Sequence, residues 1–433
     1  MVTTGPLASV FSDASVLQKM LDVEAALARV QGRLGVIPAA AATAIVAAAR
    51  AEHYDVTAIA AGARRAGTPV VALVDALTTR VAAENPSAAT FVHWGATSQD
   101  ISDTALVLAI RDSIDILSRD HVRLTDALIA MSDRHATSVM MGRTLLQPAT
   151  PITFGLKVAG WYGAIDRSWK RLTAAAADGL VLQCGGAAGT LAALGTRGPD
   201  VAEALAAELQ LALPDAPWHA HRERLAAIVT ALAIYMASLG KMARDIALLM
   251  QHEVGEVSEP GGGSSAMPQK RNPSGCAIIL ACATRTPGLV ASYVTGMVQE
   301  HERAVGGWHA EWPTMADLVQ ATGSALDASA ALIEDLHVDP ERMRANLDAT
   351  RGSVFSERAQ MALAAALGRA RAKALVTEAL AISRRDDVTL ATALGRLPDA
   401  ATALATHPDV LAGTDDYLGA AETFRLRLLR RCP

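Results

Sequence analysis

The chain has 433 residues, of which 51% are apolar and only 4% are aromatic, and alanine supplies much of the apolar share. Alanine is the best helix former and lets helices pack closely, so this composition favours helices over sheets. The net charge is −5, and lysine and arginine are spread along the chain. This pattern excludes the basic footprint of a nucleic-acid-binding protein.

The cysteines and the apolar stretches indicate a cytoplasmic protein. No C-x-x-C pair occurs among the four cysteines, so we expect reduced thiols rather than a zinc site or disulfides; they are Cys184, Cys276, Cys282 and Cys432. Residues 1–21 lack the pattern of a signal peptide. An uncharged, largely apolar stretch of 16 residues lies between Arg224 and Lys241. It is too short for a bilayer, and we expect a buried helix and no membrane partner.

Apolar residues at helical spacing predict four long helices. The first follows Asp103, with Ser102 or Asp103 as its N-cap, and carries apolar residues on one face. The second runs from Arg222 to about residue 253 and is apolar nearly all round, so other helices must surround it. Two more cover about 276–299 and 315–336. The prediction is an all-α chain with a central bundle of long helices.

Composition changes predict three domains, at residues 1–103, 104–339 and 340–433. Beyond residue 340 the helices shorten, and Pro398 and Pro408 interrupt them. The glycine-rich residues 185–189 lack the strand-turn-helix context of a phosphate site, so we expect a loop between helices. The basic residues 425–431 are predicted to form a solvated helix end.

The segment from Gly261 to Pro273 has the composition of a catalytic loop. Three glycines and two serines make it mobile, and a mobile loop can close over a substrate and exclude water. Lys270 and Arg271 add positive charge, and Asn272 can both donate and accept hydrogen bonds. A plain linker needs neither this cluster nor the apolar step Ala266-Met267 that precedes it.

Residues 263–273 read Gly-Ser-Ser-Ala-Met-Pro-Gln-Lys-Arg-Asn-Pro and resemble the signature of the fumarase/aspartase superfamily at every fixed position. The resemblance implies that Ser264 is the base that removes a proton beside a carboxylate, with Lys270 and Asn272 as catalytic partners. It places Ser265 and Met267 in contact with the substrate. A serine base needs positive charge and N–H donors around it.

Two further regions resemble those of the superfamily in the same order. Gly95-Ala96-Thr97-Ser98-Gln99-Asp100 implies that Thr97 and Ser98 contact a substrate carboxylate. The region from Gly142 to Pro151 implies that Arg143 is a carboxylate fork, a role that suits the guanidinium, and it adds Thr144 and Gln147. Superfamily members assemble such a site from three subunits, so the resemblance implies a homotetramer built on a three-domain fold.

Within the superfamily, nearly the whole chain is most similar to the 3-carboxy-cis,cis-muconate cycloisomerases. Four stretches carry this similarity, namely 91–100, 183–195, 217–219 and 299–312. They add His93, Arg303 and His309 as substrate-binding candidates. The implied reaction adds a carboxylate across a double bond of the same polycarboxylate and needs no metal or organic cofactor. For Trp308 and Trp312, the alternative to substrate binding is packing between helices. For His301 and His309, the alternative is a hydrogen-bonded position in the core.

Two departures keep other functions open. Pro148 stands where many relatives have a histidine that protonates an amine leaving group. Its absence disfavours adenylosuccinate-type cleavage but suits a leaving carboxylate, or nitrite released from nitrosuccinate. Gln269 replaces the histidine usual in the cycloisomerase loop, and the preceding loop is about three residues shorter. A non-catalytic structural protein is the third alternative, and the intact signature disfavours it.

Overall fold

The structure is a computed structural model that describes residues 3–263, 265–405, 411, 413 and 417–431. Helices dominate these residues, and the described strands form two small antiparallel sheets, which confirms the predicted all-α class. Three positions that the sequence singled out, Ser264, Pro408 and Cys432, lie outside the described residues.

The secondary-structure elements follow in chain order. The helices are α1 (Gly5–Val10), α2 (Asp13–Arg33), α3 (Ala39–Ala48), α4 (Val56–Ala66), α5 (Pro69–Glu84), α6 (Pro86–Ala89), α7 (Ser98–Arg134), α8 (Phe154–Gly179), α9 (Gly198–Leu209), α10 (Glu223–Leu249), α11 (Ser274–Gly296), α12 (Gly307–Asp335), α13 (Pro340–Asp348), α14 (Ser356–Leu367), α15 (Arg369–Asp386), α16 (Leu390–Gly395), α17 (Pro398–Leu404) and α18 (Ala421–Leu428). The strands are β1 (Val139–Thr144), β2 (Gln147–Thr153), β3 (Val257–Ser258) and β4 (His337–Val338).

The chain folds into two compact units, each built from three stretches of sequence. The first unit comprises residues 1–122, 167–240 and 278–328, and the second comprises 123–166, 241–277 and 329–433. Each of the long helices α7, α8, α10, α11 and α12 has residues in both units. The three-domain division inferred from the sequence therefore stays a prediction.

The start of α7 corrects the sequence analysis. The helix begins at Ser98, five residues before the predicted Asp103. Asp103 is fully buried, and its carboxylate accepts hydrogen bonds from Arg222 at 2.7 and 3.0 Å. A carboxylate that is bonded to a distant guanidinium is not available to cap a helix, and periodicity alone does not reveal this partner.

Inside the first unit, three of the long helices meet through aromatic side chains. The ring of His121 on α7 stacks on Trp169 of α8 with centroids 4.5 Å apart. Nδ1 of His121 lies 3.0 Å from the hydroxyl of Tyr235 on α10, and Tyr235 is fully buried. The contact confirms that other helices pack around α10, as its all-round apolar sequence predicts.

Two helices are long and apolar enough to cross a membrane by length and composition, which the sequence analysis did not expect. In α10, 61% of the apolar window is buried inside the chain, as in the core helix of a globular protein. In α11 only 22% of that window is buried. The apolar surface of α11 is therefore left uncovered by its own chain.

Residues 139–153, which include Pro148 and Pro151, form a β-hairpin in the second unit. Strands β1 and β2 pair antiparallel from Val139 opposite Thr153 to Thr144 opposite Gln147. The two-residue turn between them, Leu145-Leu146, has φ angles of 50° and 63°. Two left-handed residues match the twist of a hairpin, although leucine rarely adopts this conformation.

The basic C-terminal residues are not simply solvated, so that prediction was wrong for Arg425. Arg425 is 5% exposed. Its guanidinium donates to Asp133 at 2.7 Å and to Glu422 at 2.6 and 2.7 Å. Arg431 donates to the same Asp133 at 2.7 Å. These ion pairs attach α18 to the C-terminal end of α7, within the second unit.

The described cysteines agree with the expectation of unpaired thiols. Cys184, Cys276 and Cys282 are free and buried. Burial raises the pKa of all three thiols. A buried thiol with a raised pKa is a poor nucleophile, so these residues have a packing role.

Candidate active site

The first group of predicted site residues lies in residues 93–100, which we call the Thr97 segment, and Asp100 holds this segment in place. The Asp100 carboxylate accepts from the backbone N–H of Thr97 at 3.1 Å and from those of Gly185 and Gly186, each at 2.9 Å. Nε2 of His219 lies 2.7 Å from the same carboxylate. The glycine-rich loop is thus a loop as predicted, and its amides bind a carboxylate of the chain itself.

Arg303 joins the Thr97 segment to that glycine-rich loop. Its Nη1 donates to Oγ1 of Thr97 at 2.7 Å, and its Nη2 donates to the carbonyls of Gly186 and Ala187 at 3.0 and 2.8 Å. The structure therefore brings together two residues that were predicted separately to bind substrate. A guanidinium beside a hydroxyl forms a corner that can hold a carboxylate.

A buried charge network supports the Thr97 segment. Arg222, Asp103 and Glu311 are each fully buried, and Arg222 donates to Glu311 at 2.6 Å as well as to Asp103. Burial raises the pKa of Glu311, against the opposing effect of Arg222. Gln99, from the Thr97 segment, donates to Asp103 at 3.1 Å. The first turn of α7 is thereby tied to α12 through a fully desolvated ion cluster.

At the start of α12, two tryptophans pack against each other. Trp308 and Trp312 pack edge to face with centroids 4.7 Å apart, as the packing alternative proposed. Trp308 also donates from Nε1 to Asp103 at 2.8 Å. His309 and His301 are exposed, so neither is a core histidine. His309 lies beside the C-terminal end of α4, where a Cβ added to Gly67 would be 3.6 Å from Nε2.

His93 has two supporting residues that the sequence analysis missed. Its Nδ1 lies 2.5 Å from Oε1 of Glu24, and Gln31 donates to the carbonyl of Trp94 at 2.7 Å. Glu24 and Gln31 are both 1% exposed and lie seven residues apart on α2. Polar residues at heptad spacing on a buried apolar face were the available signal.

In the second unit, the signature loop (residues 259–273) is fixed at its ends. The carboxylate of Glu259 accepts from the N–H groups of Gly275 and Cys276 at 2.7 and 3.1 Å, which caps α11. The N–H of Asn272 donates to the carbonyl of Gly262 at 2.8 Å. Gly262 has φ of 79°, and a Cβ there would lie 2.0 Å from the Asn272 carbonyl oxygen. Only glycine fits this close approach.

Between these ends the described side chains point outward. Ser265, Met267 and Lys270 are exposed, and the N–H of Lys270 donates to the Met267 carbonyl at 3.0 Å. Nδ2 of Asn272 lies 3.4 Å from the Gly263 carbonyl. Ser264 is outside the described residues, so its role as the base stays a prediction.

The hairpin presents the remaining predicted residues. Thr144 and Gln147 are exposed and flank the turn. Arg143 was predicted to bind a substrate carboxylate through two guanidinium nitrogens, and in the structure these nitrogens bind a carboxylate of the chain itself. That carboxylate belongs to Glu256, which is fully buried and accepts from Nη1 and Nη2 at 2.9 and 2.6 Å. Asn346 donates to the same Glu256 at 2.9 Å. The pair anchors the hairpin next to its turn, where Arg143 lies opposite Pro148.

Metal ligation has no candidate within the described ranges, where no cluster of three or more His, Cys, Asp or Glu side chains could hold an ion. The groups that the structure does assemble are cations, hydroxyls and backbone amides. Such groups bind and polarise carboxylates by hydrogen bonding and charge.

Known proteins share both the sequence and the fold. A family model described as Lyase matches residues 1–288. A 3-carboxy-cis,cis-muconate cycloisomerase of Bradyrhizobium diazoefficiens is 48% identical over 88% of this chain and 85% of its own. The crystal structure of 3-carboxy-cis,cis-muconate lactonizing enzyme from Pseudomonas putida superposes with a TM-score of 0.94 at 44% identity, covering 99% of this chain and 97% of that one.

A nitrosuccinate lyase of Streptomyces davaonensis is also similar, with 44% identity over 86% of this chain and 81% of its own. These relatives carry the names of different reactions, yet each is more than 40% identical to this chain. The chain is therefore an enzyme of the lyase family within the fumarase/aspartase superfamily.

Proposed function

We propose that this enzyme is a cycloisomerase that converts 3-carboxy-cis,cis-muconate into 4-carboxymuconolactone. The observation that carries the proposal is the complete signature at residues 263–273 in a chain that is 48% identical to a cycloisomerase of that substrate. The 0.94 TM-score against the lactonizing enzyme supports it.

The reaction makes one C–O bond and one C–H bond and breaks one C=C π bond. A carboxylate oxygen of the substrate bonds to one alkene carbon, and the alkene electron pair moves to the neighbouring carbon. There it is delocalised into the attached carboxylate until Ser264 donates a proton to that carbon, and the serine alkoxide then regains a proton from water. In the reverse direction Ser264 removes the same proton and the carboxylate leaves. A carboxylate with a pKa near 4 leaves without an acid, which suits the presence of Pro148.

The remaining site residues bind and stabilise charge. Thr97 and Arg303, in contact at 2.7 Å, would hold one substrate carboxylate, with Ser98 beside them. Lys270 and Asn272, on the signature loop, would stabilise the serine alkoxide and the delocalised carbanion.

The other substrate contacts are Ser265, Met267, Thr144, Gln147, His93 and His309. Because the guanidinium of Arg143 already binds Glu256, its effect on a substrate carboxylate would come through its charge and through the hairpin that it anchors.

A homotetramer completes the proposal, with each site shared by three subunits. The largely uncovered apolar surface of α11 supports this assembly, because a water-facing helix of that composition needs a partner. We propose a cytoplasmic enzyme that acts on a small polycarboxylate without a metal or organic cofactor. Sedimentation of the purified protein tests the assembly.

The decisive test is an absorbance assay, since the conjugated diene absorbs in the ultraviolet and the lactone largely does not. We expect rapid decay with the wild-type enzyme. Ser264→Ala should lower kcat by about 10²–10⁴-fold, the usual contribution of a general acid–base group. Ser274→Ala, at the exposed serine that follows the loop, is the control and should retain most of the activity. A folded tetramer that leaves the diene unchanged contradicts the proposal.

Elimination of nitrite from nitrosuccinate is the second candidate. Two observations favour it, namely the 44% identity to a nitrosuccinate lyase and Pro148, because nitrite also leaves without protonation. Nitrite release can be measured colorimetrically with the same protein preparation. If kcat/KM for nitrosuccinate exceeds that for the diene, the lyase assignment replaces the cycloisomerase.

A further inference from the structure

We propose that Glu24 is a positioning residue that holds His93 as an imidazolium, so that Nε2–H of His93 binds a carboxylate of the substrate. The inference rests on the proposed function for the identity of that substrate. The protonation state of His93 does not depend on it and can be measured without any substrate.

The geometry of the pair carries the inference. Nδ1 of His93 and Oε1 of Glu24 are 2.5 Å apart, within the range of a charge-assisted hydrogen bond. The Glu24 side chain is 1% exposed, whereas that of His93 is 18% exposed. A buried carboxylate is stable only beside a cation or several donors. Because Glu24 is desolvated, it favours the charged form of the ring it contacts.

The contact between Glu24 and Nδ1 of His93 leaves the Nε2 edge of the imidazole ring open. Within the described parts of the chain, Nδ1 has Glu24 as its partner and no partner is recorded for Nε2. An imidazolium held in this way has one N–H donor turned away from Glu24. The Thr97 segment, to which His93 belongs, also contains the hydroxyl that Arg303 contacts. The donor therefore lies on the segment that we assign to carboxylate binding.

Helix α2 holds the backbone of the Thr97 segment in place as well as the side chain of His93. His93 has φ of 58°, a left-handed conformation that a residue with a Cβ seldom adopts. Gln31, seven residues after Glu24, donates to the carbonyl of the next residue, Trp94. Residues seven apart lie on the same face of a helix. Two buried polar side chains on one face of α2 thus hold two consecutive residues.

The charged groups around His93 act in the same direction. Burial lowers the pKa of the ring, but the charge and hydrogen bond of Glu24 and the charge of Asp100 on α7 outweigh it. The net effect raises the pKa of His93 above its ordinary 6.5. Asp100 itself is paired with His219. His93 should therefore be fully protonated, and able to bind a carboxylate, at pH values below the ordinary pKa of histidine. Binding should weaken as the pH rises through the raised pKa of His93.

Glu24→Gln tests the role of the charge, because the amide keeps the shape and an acceptor oxygen. The alkaline fall of kcat/KM should move to lower pH, because the charge that favours the imidazolium form of His93 is lost. At pH 7.5 we expect KM to rise about five- to tenfold with kcat changed less than about threefold, and near pH 5.5 KM should return to about the wild-type value. An unchanged pH profile overturns the proposal.

Gln31→Leu is the matched control on the same face of α2. It removes a hydrogen bond to the segment without changing any charge. A purely structural role for α2 predicts that Gln31→Leu and Glu24→Gln change KM in the same way at every pH. The proposal predicts that only Glu24→Gln shows a pH-dependent loss that acid restores.

A chemical measurement decides the protonation state without catalysis. Diethyl pyrocarbonate acylates neutral imidazole, so the rate of modification of His93, followed by mass spectrometry of its peptide, reports the neutral fraction at each pH. We expect Glu24→Gln to react about fivefold faster than wild type near pH 7. Equal rates overturn the inference even if the enzyme cyclises the diene. If Glu24→Gln is modified faster but the wild-type enzyme does not convert the diene, the result supports the Glu24–His93 pair and rejects only the proposed substrate.

Discussion

The Thr97 segment and the signature loop both carry polar residues that we propose bind the substrate, but different contacts hold the two segments in place. Around the Thr97 segment, Asp100, Asp103 and Gln99 are each at most 2% exposed and bond to side chains and amides far away in the sequence. In the signature loop, Ser265, Met267 and Lys270 are exposed. The hydrogen bonds described for Lys270 and Asn272 go to carbonyls of the loop itself.

This contrast suits two different tasks. A corner that recognises a carboxylate binds best when its donors are already in place, because no ordering is then needed on binding. A loop that carries the proposed serine base needs to close over the substrate and exclude water. We therefore propose that the buried charges behind the Thr97 segment stabilise a fixed site, and that the exposed loop, anchored at Glu259 and Asn272, rearranges when substrate binds. Three substitutions test this division, and a fourth, at an exposed ion cluster, gives the scale of a solvated contact.

The largest effect is expected where the buried network is broken. Arg222→Met leaves Asp103 and Glu311 without their guanidinium, and removing one partner of a buried ion cluster costs about 3–5 kcal/mol. Urea unfolding at fixed protein concentration measures the loss. Arg371→Met is the control, because Arg371 and Asp399 form an exposed pair that contributes at most about 1 kcal/mol. Equal losses in the two variants would mean that the network does not stabilise the Thr97 segment.

The second effect concerns the loop and should appear in catalysis. Gly262→Ala places a Cβ 2.0 Å from the Asn272 carbonyl oxygen at φ of 79°. The left-handed conformation alone costs about 1–2 kcal/mol, and about 1.4 kcal/mol in the barrier is tenfold in rate, so kcat/KM should fall at least tenfold. Gly261→Ala meets open space and should retain near wild-type activity. If both variants are equally active, the Gly262–Asn272 contact does not shape the site.

A smaller effect is expected at the Thr97–Arg303 corner. Arg303→Lys keeps the charge but loses the fork that bonds Thr97 and two backbone carbonyls at once. We expect KM to rise about tenfold with little change in kcat, because the lost interaction binds substrate and transition state alike. Thr97→Ser keeps the hydroxyl and serves as the control. An unchanged KM in Arg303→Lys would remove the corner from the substrate site.

The smallest effect is expected at an exposed cluster in the first unit. The pKa of Glu208 is lowered by hydrogen bonds from Arg29 and Arg33. A lowered folded pKa stabilises the protein above the unfolded pKa, and this contribution is lost as pH falls through the folded value. Glu208→Gln should cost about 0.5–1 kcal/mol at pH 7, and the difference from wild type should shrink as the pH falls below the ordinary range of a glutamate. A difference that grows in acid contradicts this assignment.

Local features of the sequence were enough to predict the helical architecture. Alanine content and apolar spacing predicted α10 to within four residues at its C-terminal end, and they indicated α7, α11 and α12. These signals are local, since helical periodicity depends on residues three or four apart. The glycines of the signature loop, including Gly262, are also a local requirement of the backbone.

The partners of the charged residues were decided only by the tertiary structure. Arg143 looked like a free carboxylate fork, but it binds Glu256, which lies 113 residues further along the chain. Glu24 has no local feature that sets it apart from other helical glutamates, and its contact with His93 spans 69 residues. A charge carries no local signal of its partner, because the pairing depends on which distant segments the fold brings within hydrogen-bond distance. The sequence determined the helices and the loop, and packing determined which residues hold the site in place.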